Sequence, residues 1–120
     1  MNIHESAEDY LEAILMLRSE KGYARSVDIA ARLNVTKPSV SFAMKRLREN
    51  DYILMDHENL ITLTPKGEAI ASSIYERHTV LTRFLTQLGV PEDIARADAC
   101  RMEHDISPET LEAIRRSLNS

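Results

Sequence analysis

Two short amphipathic segments, residues 27–33 and 37–49, restrict the fold of this chain more than any other feature. Between them lies Asn34, a residue that tolerates the left-handed backbone conformation at which helices commonly end. Thr36 is the predicted N-cap of the second segment, and Pro38 falls in its first turn, where a missing N–H leaves no hydrogen bond unmade. Two helices joined by so short a turn predict a helix-turn-helix motif.

A β-hairpin is predicted directly after this motif. Residues 52–55 and 60–63 form two short apolar runs, and the four residues between them are polar. That pattern is typical of two antiparallel strands joined by a tight turn. A hairpin that follows a helix-turn-helix motif forms a wing, so the sequence predicts a winged helix-turn-helix domain over residues 1–70.

The other segments are predicted to be helical. Apolar residues at helical spacing predict a first helix over about residues 7–20, a long helix that begins at Pro65, and two helices that begin near Pro91 and Pro108. Three glycines and 5% aromatic residues also favour helices over a β-sandwich or barrel. We therefore expect a mainly α protein with a small β-hairpin wing, in which a helical domain occupies residues 71–120. The predicted N-caps of these other helices, and of the segment at 27–33, are Ser6, Ser26, Thr64 and Ser107.

Charge is unevenly distributed along the chain. The whole sequence carries a net charge of −4, but residues 20–50 hold seven Lys or Arg against three Asp or Glu, a local charge of +4. A basic section on a helix-turn-helix motif predicts contact with double-stranded DNA. The hairpin turn carries two acids and no Lys or Arg, so we expect it to contribute little in the minor groove. We predict that Thr36, Ser39, Ser41 and Phe42 face base edges, that Arg25, Lys37, Lys45 and Arg46 contact phosphates, and that Pro38 lies on the same surface.

A second group of residues has the chemistry of a metal site. If the segment around them is helical, Cys100, Glu103 and His104 project from one face, at spacings of three and four residues. A thiol, a carboxylate and an imidazole together suit a divalent transition metal. The other candidate ligands, on the first helix and the long helix, are Asp9, Glu12 and His78.

Each candidate ligand also has an ordinary structural interpretation. Asp9 lies three residues after Ser6 and would complete a capping box, and Glu12 would be a solvated surface acid. A histidine on an apolar stripe, such as His78, is most often a core residue, and a lone cysteine such as Cys100 is most often a small buried hydrophobe. Glu103 and His104 would ordinarily be a solvated pair. Taken singly, each ordinary interpretation is favoured; taken together, six such groups on three helices favour a metal site.

Cysteine content and hydropathy indicate the cellular compartment in which the protein is expected. One cysteine excludes an internal disulfide, and the N-terminus lacks a basic and apolar signal segment, so we expect a cytoplasmic protein. No apolar run approaches the ~20 residues that a membrane crossing requires, so no membrane partner is expected.

Five segments of the chain together resemble one known family. They are E-D-Y-L-E-A-I near the start, T-K-P-S-V-S at the helix-turn-helix, L-T-P-K-G at the entry to the long helix, Y-E-R-H within it, and D-A-C-R-M-E-H near the end. In order and spacing, they resemble the metal-dependent transcriptional repressors that include the diphtheria toxin repressor and the manganese transport regulator. The resemblance implies a winged-helix domain joined to a helical dimerisation domain, a homodimer on operator DNA, and a regulatory metal. Carried over by position, the implied metal ligands are Asp9, Glu12, His78, Cys100, Glu103 and His104.

The chain resembles a mixture of two branches of that family. Acids stand at Asp9 and Glu12 as in the manganese-sensing branch, whereas Cys100 matches a cysteine of the iron-sensing branch. Thr82 and Arg96 stand where the iron branch has ligands of an ancillary site, and the length, without an SH3-like third domain, resembles the manganese branch. Hard carboxylates suit Mn²⁺ or Fe²⁺, and a thiolate shifts the preference toward Fe²⁺, Co²⁺, Ni²⁺ or Zn²⁺. We expect Mn²⁺ or Fe²⁺ as the cofactor, with Zn²⁺, Co²⁺ or Ni²⁺ binding in vitro; ligation through the backbone carbonyl of residue 100 would restore the preference for Mn²⁺.

The expected function is therefore a metal-dependent DNA-binding transcriptional regulator, a repressor of metal-uptake genes. The alternative is a metal-independent winged-helix regulator that responds to a small ligand or to oxidation of Cys100. An enzyme is not expected, because no nucleophile and base arrangement and no phosphate-binding loop accompany the candidate ligands.

Overall fold

The computed structural model describes residues 5–119, which form six helices and one two-stranded sheet. This mainly α architecture with a small hairpin confirms the fold class predicted from the sequence. The elements are α1 (Glu5–Lys21), α2 (Ser26–Leu33), α3 (Lys37–Glu49), β1 (Ile53–Met55), β2 (Ile61–Leu63), α4 (Pro65–Gln87), α5 (Glu92–Met102) and α6 (Pro108–Leu118).

The chain divides into two compact units, Met1–Ser72 and Ser73–Ser120. The division falls inside α4, so this helix begins in the first unit and ends in the second. Each unit has its own cluster of buried apolar side chains.

The first unit packs α1, α2 and α3 against the hairpin. Strands β1 and β2 pair antiparallel, with Ile53 opposite Leu63, and the backbone N–H of Ile61 donates to the carbonyl of Ala24 at 2.9 Å. This bond ties the hairpin to the loop that precedes α2. The buried side chains of the cluster include Leu11, Ile14, Leu17, Ile29, Val40, Met44, Leu47, Tyr52 and Ile53.

Gly67, in the first turn of α4, permits a close approach of two backbones. A Cβ atom at this position would overlap the carbonyl oxygen of Tyr52. The hydroxyl of Thr64, which caps the helix, accepts from the N–H of Gly67 at 3.1 Å and donates to the carbonyl of Asp51 at 2.7 Å. The start of α4 is therefore fastened against the residues that lead into β1.

Three predicted helix caps are confirmed besides Thr64. Asn34 ends α2 with a φ of 54°, and Thr36 caps α3 by accepting from the N–H of Ser39 at 3.3 Å. Ser107 caps α6 by accepting from the N–H of Thr110 at 3.1 Å. The side chains of Thr36 and Ser107 each satisfy an N–H that the helix itself leaves unpaired, whereas Asn34 ends α2 through its left-handed backbone, with its own N–H donating to the carbonyl of Ala30.

Two predicted caps are wrong. Ser26 is the first residue of α2, because the helix already begins where the carbonyl of Arg25 accepts from the N–H of Ile29 at 3.1 Å. Arg25 is thus the N-cap, without a side-chain hydrogen bond. Ser6 lies inside α1, which already includes Glu5.

In the second unit, α4, α5 and α6 surround a small core. Leu81, Ala99 and Leu111 form its buried centre, and Val80, Met102, Ile106 and Ile114 pack against them. Helix α5 ends at Met102, so Cys100 lies in the helix, Glu103 is its C-cap and His104 lies in the following turn. The expectation that these three residues share a helical face therefore holds only up to the cap.

Candidate metal centre and nucleic-acid interface

Glu103 is the most unusual residue of the second unit, because its side chain is charged and fully buried. Its Oε2 atom lies 3.0 Å from Nδ1 of His78 on α4, and its Oε1 atom lies 3.5 Å from Nε2 of His104. Among the residues that the structure describes, none donates a hydrogen bond to Oε1. A buried carboxylate oxygen with unused acceptor capacity is costly unless a ligand completes it.

The residues around Glu103 fit a divalent cation. His78 offers a ring nitrogen, and Glu103 a carboxylate oxygen, within 4.8 Å of each other. The thiol of Cys100 likewise lies within 4.8 Å of a carboxylate oxygen of Glu103. Imidazole, carboxylate and thiolate are ligands that bind divalent transition metals, and a cation would also neutralise the buried charge.

The ordinary interpretation of Cys100 is wrong in this structure. The residue is exposed, so it is not a small buried hydrophobe.

His78 is partly buried, with 23% of its side chain exposed, and the side chain of His104 is 3% exposed. His78 therefore occupies the edge of the core.

The two acids of α1 lie three residues apart, so they project from neighbouring positions on one helix face. Glu12 is 8% exposed, which rules out a solvated surface acid, and Asp9 is partly buried. The capping box proposed for Asp9 does not form, because Ser6 lies inside the helix. Both acids thus depart from the ordinary structural interpretation.

All nine residues predicted to face DNA are exposed in the first unit. Phe42 is the most unusual of them, since 63% of its surface is exposed on the middle of α3. The guanidinium of Arg46 lies 5.7 Å from the centre of its ring, a cation–π contact that covers part of this apolar surface. The rest of the ring leaves apolar surface exposed among serines and basic residues.

A groove of about 450 Å³ runs beside α3 and the hairpin. Its lining includes the basic residues Arg25, Lys45 and Arg48 and the hydroxyl of Ser41, and it includes no acid. Arg48 was not among the residues predicted to contact DNA. Its spacing, three residues after Lys45 and seven after Ser41, already places it on the same helix face.

The hairpin turn is built around the carboxylate of Asp56. Its Oδ1 atom accepts from the backbone N–H of Glu58 at 2.8 Å and of Leu60 at 3.0 Å. The hydrogen bond from Leu60, helped by that from Glu58, holds the pKa of Asp56 below its usual value. The acid therefore stays ionised and shapes the turn.

Comparison with known proteins assigns both units to one family. Residues 2–59 match the family model described as the iron dependent repressor N-terminal DNA binding domain. Residues 64–120 match the iron dependent repressor metal binding and dimerisation domain. The chain belongs to the iron-dependent repressor family. This membership confirms the resemblance found in the sequence.

Individual relatives agree with this assignment. The transcriptional regulator MntR of Salmonella typhimurium is 47% identical over 109 residues, which are 91% of this chain and 69% of that protein. Two solved structures are also similar. The manganese regulator SloR is 34% identical with a TM-score of 0.81, and T. acidophilum IdeR is 26% identical with a TM-score of 0.84. They are matched over 99% and 100% of this chain, which spans 55% and 56% of their lengths.

Family membership decides between the classes left open by the sequence. Its members are metal-dependent DNA-binding regulators and not enzymes, and the alternative of a metal-independent regulator is not favoured. Among the described residues, no helix combines the length and the hydrophobicity needed to cross a membrane.

Proposed function

We propose that this chain is a metal-responsive repressor that binds operator DNA when a divalent cation, Mn²⁺ or Fe²⁺, occupies a site containing Glu103. The observation that carries the proposal is the fully buried Glu103 carboxylate, which has an imidazole beside one oxygen and unused acceptor capacity on the other. Such a group supports a cation-binding role better than a purely structural one, because a structural acid of this burial is normally fully hydrogen-bonded.

Six side chains are proposed to hold the cation. The support is the chemistry of the donor set, together with the burial of Glu12 and the 3.0 Å contact of His78 with Glu103. The cation would supply positive charge that neutralises the acids, and the histidines would bind through neutral ring nitrogens. The proposed ligands are Asp9, Glu12, His78, Cys100, Glu103 and His104.

The identity of the metal depends on what Cys100 contributes. Relatives named as a manganese regulator and a manganese-dependent repressor favour Mn²⁺. The thiol of Cys100 favours Fe²⁺, since thiolates are softer ligands than carboxylates. Direct comparison of the two metals in a Cys100→Ala variant separates these possibilities. Loss of Fe²⁺ affinity with retained Mn²⁺ affinity would assign the thiolate to the iron site.

DNA recognition is proposed to use the exposed face of α3. Thr36 is the N-cap of α3, and Ser39 and Ser41 lie in its N-terminal half, the part from which recognition helices contact base edges in the major groove. Phe42 cannot donate or accept a hydrogen bond, and a thymine methyl group suits its exposed ring. The proposed phosphate contacts are Arg25, Lys37, Lys45 and Arg46, and Pro38 lies on the same face.

A homodimer is proposed as the DNA-binding form, in the cytoplasm, with repression of metal-uptake genes as its biological role. Two-fold dimers place two recognition helices about 34 Å apart, or a multiple of that distance, to match successive major grooves. Metal binding that favours this separation would act by population shift. A ~100-fold gain in DNA affinity needs about 2.7 kcal/mol of coupling, which is within the usual range for allosteric proteins.

The test is DNA binding titrated separately with Mn²⁺, Fe²⁺ and Zn²⁺ under anaerobic conditions. Operator fragments are first selected from genomic DNA with Mn²⁺-loaded protein, and their affinity is then measured by fluorescence anisotropy. We expect at least one of Mn²⁺ and Fe²⁺ to raise affinity strongly, and His78→Ala to abolish this stimulation. Glu109→Gln, which removes an exposed acid on α6, is the matched control and should respond like the parent protein. Binding that is equally strong in a chelator contradicts the proposal.

A further inference from the structure

Two consecutive residues of α4 contact Glu103 at different points. Nδ1 of His78 lies 3.0 Å from a carboxylate oxygen of Glu103, as described above. Nη1 of Arg77 donates to the main-chain carbonyl of the same residue at 3.1 Å, and to the carbonyl of Ile106 at 2.9 Å. Arg77 is partly buried and carries no candidate ligand atom.

The two carbonyl groups that accept from Arg77 lie between the end of α5 and the start of α6, where backbone carbonyls need hydrogen-bond donors from outside the helices. Helix α5 ends at Met102, and the last carbonyls of a helix have no partner within it. The turn that follows must reach Ser107, which caps α6. A guanidinium group is well suited to this position, because it presents several N–H donors and its charge complements the negative end of a helix dipole.

We infer that Arg77 is a positioning residue for the metal centre, an inference that rests on the proposed role of Glu103 as a ligand. It holds the main chain of residues 103–106 against α4, and so places the carboxylate of Glu103 beside the imidazole of His78. Its hydrogen bonds go to carbonyl oxygens and leave the carboxylate available. These two hydrogen bonds can therefore form whether His78 and Glu103 bind each other or a cation.

If Arg77 acted only through its charge, its removal would have the opposite effect on metal affinity from the loss of a positioning residue. Removing a positive charge close to a cation site should strengthen cation binding, because the repulsion between the two is lost. Loss of a group that orients a metal ligand weakens binding by about 10- to 100-fold. The sign of the change in metal affinity therefore separates positioning from simple electrostatics.

The experiment compares Arg77→Met with Arg115→Met in the full chain. Arg115 is a matched control, since it lies in the same unit and pairs with the side chains of Glu76 and Glu112 rather than with the turn. The Mn²⁺ dissociation constant is measured by competition with a chelator, and hydrogen exchange of the metal-free protein reports on residues 103–106. If Arg77→Met does not fold, Arg77→Lys is judged by the same two measurements, because lysine lacks the planar guanidinium.

For Arg77→Met we expect Mn²⁺ binding weaker by about 10- to 100-fold and faster exchange in residues 103–106, with Arg115→Met close to the parent protein on both measurements. Unchanged or tighter Mn²⁺ binding in Arg77→Met would overturn the inference, whatever the exchange rates show. A parent protein that binds neither Mn²⁺ nor Fe²⁺ would instead remove the proposed function, and this inference with it.

Discussion

Substitution of Arg48 by alanine tests whether the groove beside α3 carries contacts to the DNA backbone. Arg48 lines the groove together with Arg25 and Lys45, and all three are exposed. Lys37 and Arg46 are also exposed on α3. Helix α3 and the residue before α2 therefore carry five exposed cations, or ten in the proposed homodimer.

The salt dependence of DNA binding measures how many of these cations meet phosphates. Each phosphate neutralised on duplex DNA contributes about −0.9 to the slope of log affinity against log salt concentration, so ten contacts give about −9. Arg48→Ala removes one cation from each protomer and should bring the slope to about −7.2. From about 50 to 200 mM salt, affinity then falls about 3 × 10⁵-fold for the parent protein and about 2 × 10⁴-fold for the variant.

The assay is fluorescence anisotropy over a series of KCl concentrations at saturating Mn²⁺, with operator DNA and with a scrambled duplex. Because phosphate contacts carry no sequence information, Arg48→Ala should weaken binding to both duplexes by a similar factor. Arg101→Ala is the control, since Arg101 is an exposed arginine of the second unit that pairs with Asp98. An unchanged slope would refute the phosphate contact, and a loss confined to operator DNA would show that Arg48 reads a base instead.

Three further predictions concern the metal centre, the core and the hairpin. Glu103→Gln keeps the size of a buried side chain but removes its charge, so Mn²⁺ binding measured by chelator competition should weaken by ~100-fold or more, with an unchanged circular dichroism spectrum. Gly67→Ala forces a Cβ against the carbonyl of Tyr52 and should lower stability by about 1–3 kcal/mol in urea unfolding; an unchanged midpoint would contradict this packing. Asp56 has a lowered pKa, so the stability it contributes is present above the ordinary carboxyl pKa and is lost as pH falls through its lower folded value. Hairpin amide signals in NMR should show this acid transition, and Asp56→Asn should remove it.

The sequence was most informative where local chemistry decides structure. Thr36, Thr64 and Ser107 cap helices as predicted, because a cap depends on residues only three positions away. Asn34 ends α2 for a similarly local reason. Ser26 misled the prediction, since the helix starts where a backbone carbonyl first accepts an N–H, and here the carbonyl of Arg25 does so without a side-chain cap.

The sequence was less informative about burial. Glu12 and Cys100 each had an ordinary interpretation, as a surface acid and as a buried hydrophobe, and the structure reverses both. Residue type predicts burial only on average, because the decisive factor is which helix face meets a neighbour. Arg48 could have been found from its helical spacing to Lys45, but its place in a groove depends on the packing of three elements.

Local sequence patterns were sufficient to predict the six helices and the hairpin, and the family resemblance carried by those patterns was confirmed by comparison with known proteins. These features follow from periodicity, caps and motifs that lie close together in the chain. Tertiary structure alone decided that the carboxylate of Glu103 is buried 3.0 Å from His78 and that Arg77 binds the main chain beside it. The physical reason is that these contacts join residues 25 and 26 positions apart, and only the packing of α4 against the end of α5 brings them together.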